Sequence, residues 1–258
     1  MCLLICAKNT HTNYPLILIA NRDEYYHRPA LAAQYWSENE NILAGKDLSD
    51  GGSWLGITRQ GRIAAITNYR NPSENIPNAT SRGSLVRGFL QGDSPAFSYL
   101  SNIKNSDIPY NGFNLITGNI NELWCLSHPT KAIEPIEEGI QGLSNARLNT
   151  PWPKVTDGKE ALQNLITINQ SCNEKLNHRE LLGILNKRNV AQDQYLPDTG
   201  VGIESERALS PSFVLLPGYG TRVSTALTVD HNGNVEFTEI TWNQNGEQEK
   251  QVSFEFSI

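Results

Sequence analysis

The chain of 258 residues has a formal net charge of −6 at pH 7, with 38% hydrophobic and 19% charged residues, and its pI is near 5.4. This composition is typical of a globular protein, and the acidic balance argues against a nucleic-acid-binding protein, whose surface would carry a basic patch. No linker rich in Pro, Gly or Ser interrupts the sequence, so we predict a single domain over residues 1–258.

The first predicted element is a β-hairpin. Residues 2–7 ("CLLICA") and 16–20 ("LILIA") are apolar runs, and the polar segment "KNTHTNYP" separates them. Cys2, Leu4 and Cys6 share one face of the first strand, and the other face is also apolar, so both faces are expected to be covered. "SWLGIT" and "RIAAITNY" then predict a second hairpin.

Two helices are predicted after the second hairpin. The first covers residues 83–91, and the second covers residues 95–103 with Pro95 at its first helical position. Proline suits that position because its missing N–H would have no intrahelical partner there. Asp93 or Ser94 is expected to be the N-cap of the second helix.

Strands and helices alternate again in the second half of the chain. "GFNLITGNINELWCLSH" indicates a hairpin and "GIQGLSNA" a short strand, and helices are predicted over 151–170 and 178–188. The segment 189–212 is predicted to be a loop that is either a lid or a plain connection. The C-terminal third returns to strands, with "DHNGN" as a hairpin turn between two of them.

The order of these elements predicts the fold class. Antiparallel hairpins with helices in two blocks favour an α+β architecture in which helices cover sheet faces. The opening "MCLLICAKN" lacks a basic region and a cleavage site, and no window approaches the roughly 18 apolar residues of a membrane span. We therefore expect a cytoplasmic protein without an integral membrane segment. Its four cysteines, which have no metal-site spacing, are expected to be reduced thiols (Cys2, Cys6, Cys125 and Cys172).

Cys2 is the first candidate for chemistry. If the initiator Met1 is removed, Cys2 carries a free α-amine with a pKa of about 7.7–8.0, which can accept the proton of its own thiol. Nucleophile and base then belong to one residue. The alternative is structural, because a small apolar residue also suits the start of a buried strand.

"NRDE", residues 21–24, follows directly on the second strand. In an antiparallel hairpin the end of strand two lies beside the start of strand one, so Asn21, Arg22 and Asp23 are expected near Cys2. A guanidinium favours the thiolate form of a nearby thiol, and an aspartate can hold an α-ammonium group. The alternative is a surface turn with a local Arg–Asp pair.

Several motifs in order resemble one known family. "NRDE" after an N-terminal Cys strand, "GGSWLGIT", "TNYR", "SRG", "YNGFNL", "GLSNA…TPW" and "PGYGTR" are similar to the NRDE family, which includes the transport and Golgi organisation proteins of animals. The resemblance covers roughly residues 1–240. That family is similar to N-terminal-nucleophile hydrolases, so the resemblance implies a four-layer αββα sandwich, with two antiparallel sheets stacked between helical layers.

The resemblance also implies catalytic roles. By similarity to choloylglycine and penicillin acylases, Cys2 would be the nucleophile and Arg22 and Asp23 would tune it. Asn68 in "TNYR" would form part of an oxyanion hole, where an uncharged amide donor contributes about 3 kcal/mol to the barrier. Asn145 in "LSNA" would orient the substrate or the amine.

Further residues are expected to bind a ligand around the same cleft: Asn21, Glu24, His27, Arg82 and Arg222. Arg82 and the following helix N-terminus would hold an anion such as a CoA phosphate or a haem propionate. For "SRG" the alternative is helix capping by Ser81, and for Arg222 it is a local salt bridge.

The resemblance implies a cytosolic protein that binds and moves haem or a related amphiphile such as acyl-CoA, with no catalytic metal. The alternative is an N-terminal cysteine hydrolase of amide or thioester bonds, which requires removal of Met1, whereas a carrier tolerates it. Covalent c-type haem attachment is excluded because Cys-x-x-Cys-His is absent. Besides the cysteines, the candidate axial ligands are His11, His27, His128, His178 and His231.

Overall fold

The computed structural model describes residues 2–172 and 175–258. Met1, on whose removal the hydrolase hypothesis depends, lies outside the described residues. The strands are β1 Cys2–Lys8, β2 Leu16–Tyr25, β3 Ala30–Trp36, β4 Asn39–Asp47, β5 Leu55–Thr58, β6 Ile63–Asn68, β7 Phe113–Gly118, β8 Leu123–Ser127, β9 Ala132–Pro135, β10 Gly139–Leu143, β11 Leu215–Leu216, β12 Tyr219–Val229, β13 Asn234–Trp242 and β14 Gln248–Ser257. The α-helices are α1 Gly83–Gln91, α2 Ala96–Lys104, α3 Pro153–Cys172, α4 His178–Ile184 and α5 Ile203–Ala208. None of the helices described here is both long and apolar enough to span a bilayer.

The described chain divides into two compact units. The first unit contains residues 2–27, 137–144 and 148–257, apart from the two undescribed positions. Its seven-stranded sheet has the order β10-β1-β2-β12-β13-β14, with β11 beside β12, and every pair is antiparallel. Helix α3 packs on β1 and β10. A Cβ at Gly158 of that helix would lie 3.1 Å from Cγ1 of Ile5, so glycine permits this close approach.

The second unit contains residues 28–136 and 145–147, together with residue 258. Its seven-stranded sheet is a meander in which β3 to β9 pair in chain order. Helices α1 and α2 cover this sheet, because Leu85, Phe89 and Leu100 are buried in one cluster with side chains of β4, β6 and β7. The single-domain prediction for residues 1–258 stays a prediction.

Helix α1 covers residues 83–91 as predicted, but the residues expected to cap α1 and α2 are wrong. The N-cap of α1 is Arg82, whose side chain makes no capping hydrogen bond, so Ser81 is not the cap. The Ser84 hydroxyl instead donates to the Ser81 carbonyl at 2.6 Å. Pro95 is the N-cap residue of α2 rather than its first helical residue. Asp93 and Ser94, the predicted N-caps, are therefore not the cap.

Helix α4 is shorter than predicted. It ends at Ile184, although the sequence pattern extends to residue 188. The last turn tightens there, because Leu185 N and Asn186 N donate to the carbonyls three residues earlier, those of Leu182 and Gly183, at 3.1 and 3.2 Å. The segment 189–212 is not a loop throughout, because it contains α5. Glu206 of that helix is buried and accepts hydrogen bonds from the backbone N–H and hydroxyl of Thr199 at 2.9 and 2.6 Å.

His178 links α4 to the sheet of the first unit and is expected to make stability depend on pH. Both ring nitrogens lie 3.0 Å from threonine hydroxyls, Nδ1 from Thr238 and Nε2 from Thr228. Burial lowers the pKa of His178 below its ordinary 6.5, although Glu236 opposes this shift. Below about pH 6.5 the unfolded chain therefore binds a proton that the folded chain does not, and folding loses up to about 1.4 kcal/mol per pH unit.

The measurement is urea unfolding of the wild type and His178→Gln between pH 7.5 and 5. We expect the wild-type free energy of unfolding to fall more steeply with acid than that of His178→Gln. His231→Gln, at an exposed histidine of the same unit, is the control and should keep the wild-type slope. Equal slopes for the wild type and His178→Gln would contradict the assignment.

Candidate active site

Cys2 and Arg22 form the centre of the candidate site. They are direct partners in the pairing of β1 with β2, so their side chains project from the same face of the sheet. Glu24 lies two residues further on β2 and shares this face, and its Oε2 is 3.8 Å from Nη2 of Arg22. Cys2 is 9% and Arg22 7% exposed. The hairpin thus presents a thiol and a guanidinium side by side in a largely buried position.

Asn21 and Asp23 project from the opposite face of β2. Asp23 Oδ1 accepts a hydrogen bond from the Thr221 hydroxyl at 2.6 Å, and that hydroxyl accepts one from Val214 N at 2.9 Å. The Asn21 amide donates to the Ser212 carbonyl at 2.7 Å. Their place on the other face does not support the expected approach of these two side chains to Cys2, so a role of Asp23 at the Cys2 amine stays a prediction.

A residue that the sequence did not single out holds the backbone of Cys2. The hydroxyl of Ser144 donates to the Cys2 carbonyl at 2.8 Å, and Ser144 is buried. This bond joins the first strand to the end of β10, 142 residues further along the chain. It fixes the main chain from which the thiol projects.

Tyr219, in the "PGYGTR" motif, is a further residue with an electrostatic interaction with Cys2. It is the first residue of β12, pairs with Tyr25, and donates from its hydroxyl to the Asp23 carbonyl at 3.2 Å. Burial raises the pKa of Tyr219, and the nearby carboxylate of Asp23 acts in the same direction. Tyr219 is therefore a neutral phenol within electrostatic range of the Cys2 thiol.

Arg222 holds the chain where it leaves β2. It is the extra residue of a β-bulge in β12, between Thr221 and Val223. Its Nη1 donates to the carbonyls of Tyr25 and Tyr26 at 3.0 and 3.1 Å. The next residue, His27, is exposed, and its ring lies 5.4 Å from that of Tyr25.

Asn68, predicted for an oxyanion hole, and Asn145, predicted to orient the substrate or the amine, both lie in the second unit and contact each other. The Asn145 amide donates to the Asn68 carbonyl at 2.8 Å, and Arg70 N donates to the Asn145 carbonyl at 2.8 Å. Asn114 supports the same loop, because its buried amide donates to the Ala146 carbonyl at 2.9 Å.

Asn114 belongs to "YNGFNL", but nothing in the sequence indicated this role. Arg82, also in the second unit, donates from Nη1 to the Gly112 carbonyl at 3.0 Å.

The histidines differ in what they can offer a ligand. Both ring nitrogens of His11 are engaged, Nε2 with Asn169 Oδ1 at 2.9 Å and Nδ1 with Asn13 N at 3.0 Å. His178 is engaged at both nitrogens as well. These two are therefore unsuited as axial haem ligands in this structure. Among the described residues, no group of three or more His, Cys, Asp and Glu side chains is arranged to hold a metal ion.

The other cysteines differ from Cys2 in their chemistry. Burial raises the pKa of the Cys6 and Cys125 thiols to about 12. Since the thiolate is the nucleophile, both are unreactive at neutral pH. Cys172 is exposed at the end of α3. Any covalent acyl transfer to a thiol of the described chain therefore has Cys2 and Cys172 as its two candidates.

Residues 1–244 match the protein family described as Transport and Golgi organisation 2. The Transport and Golgi organization protein 2 homolog of Bos taurus is 38% identical over 242 residues, covering 88% of this chain and 86% of the relative. The Homo sapiens homolog is 37% identical over the same length and coverage. The Drosophila melanogaster protein is 24% identical over 252 residues, again covering 88% of this chain and 86% of the relative.

Two solved structures show the fold. A Caenorhabditis elegans ortholog of N-acylethanolamine-hydrolyzing acid amidase has a TM-score of 0.50 at 11% identity and covers 88% of this chain and 92% of its own. A mutant conjugated bile acid hydrolase from Clostridium perfringens has a TM-score of 0.53 at 11% identity and covers 100% of this chain and 97% of its own. These matches confirm the predicted class, an α+β fold of the N-terminal-nucleophile hydrolase type.

Proposed function

Since the chain belongs to the Transport and Golgi organisation 2 family and has the fold of N-terminal-nucleophile hydrolases, we propose that it is a cysteine hydrolase of acyl amides or acyl thioesters, with Cys2 as nucleophile. The single observation that carries this proposal is the pairing of Cys2 with Arg22 on one sheet face. A buried guanidinium next to a thiol favours the thiolate, which is the reactive form.

The reaction proceeds in two steps. The Cys2 thiolate attacks the acyl carbonyl, a C–S bond forms, and the bond to the amine or thiol leaving group breaks as that group takes up a proton. Water then attacks the acyl-Cys2 thioester, which releases the carboxylic acid and regenerates the thiol. With Met1 removed, we propose the α-amine of Cys2 as the base. The roles that the resemblance implies for Asn68, in an oxyanion hole, and for Asn145, in orienting the substrate or the amine, stay predictions.

The proposed substrate carries an apolar acyl group. The two solved structures are named for hydrolysis of N-acylethanolamines and of conjugated bile acids, which are both acyl amides. We extend to this chain only the shared chemistry, an acyl carbonyl bound to nitrogen or, by the same mechanism, to sulfur.

The test is to trap the acyl-enzyme. The protein is incubated with dodecanoyl-CoA or with the dodecanoyl amide of 7-amino-4-methylcoumarin, quenched in acid and mapped by peptide mass spectrometry. We expect one dodecanoyl group on the peptide that contains Cys2, in the wild type and in Cys172→Ser alike. Acylation of Cys172 alone, or release of product with no acyl group ever found on Cys2, would overturn the proposal.

A carrier for haem or acyl-CoA is the second candidate. The observation that favours it is the exposed His27 ring, one residue beyond the backbone that Arg222 binds, which offers an imidazole and a cation close together. An imidazole can ligate haem iron, and an arginine can pair with a propionate. Titration with haemin should give a saturable Soret shift that His27→Ala removes; an unshifted band at stoichiometric haemin would count against this function.

A further inference from the structure

Glu239 is a buried carboxylate that belongs to none of the motifs described above. It lies in β13 and is 1% exposed. Its Oε2 accepts a hydrogen bond from the Thr225 hydroxyl at 3.4 Å, which is a long contact. A buried carboxylate is costly unless an opposite charge accompanies it. The strand register shows which positively charged side chain lies near Glu239.

The strand register puts Glu239 on the same sheet face as Cys2 and Arg22. Thr225 of β12 pairs with Glu239 on one side and with Ala20 of β2 on the other. Ala20 and Arg22 are two residues apart on β2 and therefore share a face. Since partners in antiparallel strands project from the same side, Glu239, Thr225 and Arg22 all project from the face that carries Cys2.

The separation suits an ion pair. Arg22 and Glu239 are two strands apart, which is about 10 Å across the sheet, and one same-face step of about 7 Å along it. Arginine and glutamate side chains that lean toward each other cover this distance over the small Val223 and Thr225 side chains between them. Glu24 also contacts Arg22, but at 3.8 Å and with 23% of its side chain exposed, so solvent weakens that pair.

We propose that Glu239 is the buried counter-charge of Arg22 and a positioning residue of the site: it holds the guanidinium on the sheet face where the Cys2 thiol lies. The ion pair itself is independent of any reaction. Its catalytic meaning, that Glu239 keeps the thiolate stabilised through Arg22, rests on the proposed hydrolase function.

The ion pair is tested by a double-mutant cycle in urea unfolding with Arg22→Met, Glu239→Gln and the double variant. Each single change leaves one buried charge without its partner, so both should lower the urea midpoint clearly. The double variant should lower it by no more than the larger single change. The matched control is Glu24→Gln, which should shift the midpoint little. Additive shifts of Arg22→Met and Glu239→Gln would overturn the ion pair.

The positioning role is tested by alkylation of Cys2 with iodoacetamide across pH, in a Cys172→Ser background. In Glu239→Gln we expect about tenfold slower alkylation at pH 7 and a profile displaced by about one unit to higher pH, because the guanidinium no longer faces the thiol. Glu239→Asp should recover part of the rate. A displacement to lower pH would show that Glu239 acts only as a nearby negative charge and would refute the role.

Neither measurement needs turnover, so the outcomes separate the two proposals. If the effects of Arg22→Met and Glu239→Gln are non-additive and the alkylation profile is displaced, but no acyl-enzyme forms, the ion pair is retained and the hydrolase is refuted. Acyl-enzyme formation with an additive cycle would retain the hydrolase and refute the ion pair.

Discussion

Cys2→Ala is expected to abolish hydrolysis of the dodecanoyl amide and of dodecanoyl-CoA, with kcat/KM falling roughly a thousandfold or more. Alanine keeps the small buried side chain at the start of β1 but has no nucleophile. Cys6 and Cys125 do not replace it, since both are fully buried with a pKa of about 12. The exposed thiol of Cys172 is tested by its own variant. Coumarin fluorescence and free CoA are the two readouts.

The matched control is Cys172→Ala, which removes the exposed thiol and should leave both rates at the wild-type value. Urea unfolding of Cys2→Ala confirms that the sheet is intact, because the Ser144 hydroxyl bonds to the main chain of residue 2 and not to its side chain. Turnover by a folded Cys2→Ala protein at the wild-type rate would refute the nucleophile.

Asn21→Ala is expected to destabilise the fold by about 3 kcal/mol or more, because it breaks a buried network on the face of β2 opposite Cys2. The Asn21 amide donates to the carbonyls of Leu185 and Ser212 at 3.0 and 2.7 Å. Its Oδ1 accepts from the Ser224 hydroxyl at 2.5 Å, and that hydroxyl accepts from the Trp242 indole at 2.9 Å. Alanine leaves the two carbonyls and the hydroxyl without this partner.

The measurement is the free energy of unfolding in urea. The control is Asn164→Ala, the same change at an exposed position of α3 in the same unit. Since alanine is a better helix former than asparagine, the control should be unchanged or slightly stabilised. Equal stability of Asn21→Ala and Asn164→Ala would mean that the first letter of "NRDE" has no structural role, contrary to its contacts.

The sequence predicted best where the chain is locally regular. The apolar runs of residues 2–7 and 16–20 are uninterrupted, and both are strands of one hairpin. Strands β3 and β4 were not predicted. Their ladder contains two register shifts, between Leu31 and Gln34 and between Tyr35 and Trp36, so the polar and apolar residues do not alternate with a period of two. Irregular pairing therefore hides a strand from a periodicity argument.

In the candidate site, too, only the locally encoded contacts could be predicted from the sequence. The approach of Cys2 and Arg22 follows from one hairpin, so local sequence suffices to predict it. Ser144, Tyr219 and Glu239 reach this neighbourhood only through pairing with strands more than a hundred residues away, which no short motif encodes. The opposite orientation of Asp23 follows from strict side-chain alternation.

The bulge at Arg222 adds a residue to β12 without displacing the pairs on either side, since Thr221 still faces Asp23 and Val223 still faces Arg22. Arg222 therefore stands outside the register of the strand pairing, and its guanidinium donates hydrogen bonds to the carbonyls of Tyr25 and Tyr26. The backbone just after Glu24 is thus held by the side chain of a residue that is not part of the regular strand pairing. Replacing Arg222 is therefore expected to release the backbone after β2 while leaving the pairing of Cys2 with Arg22 in place.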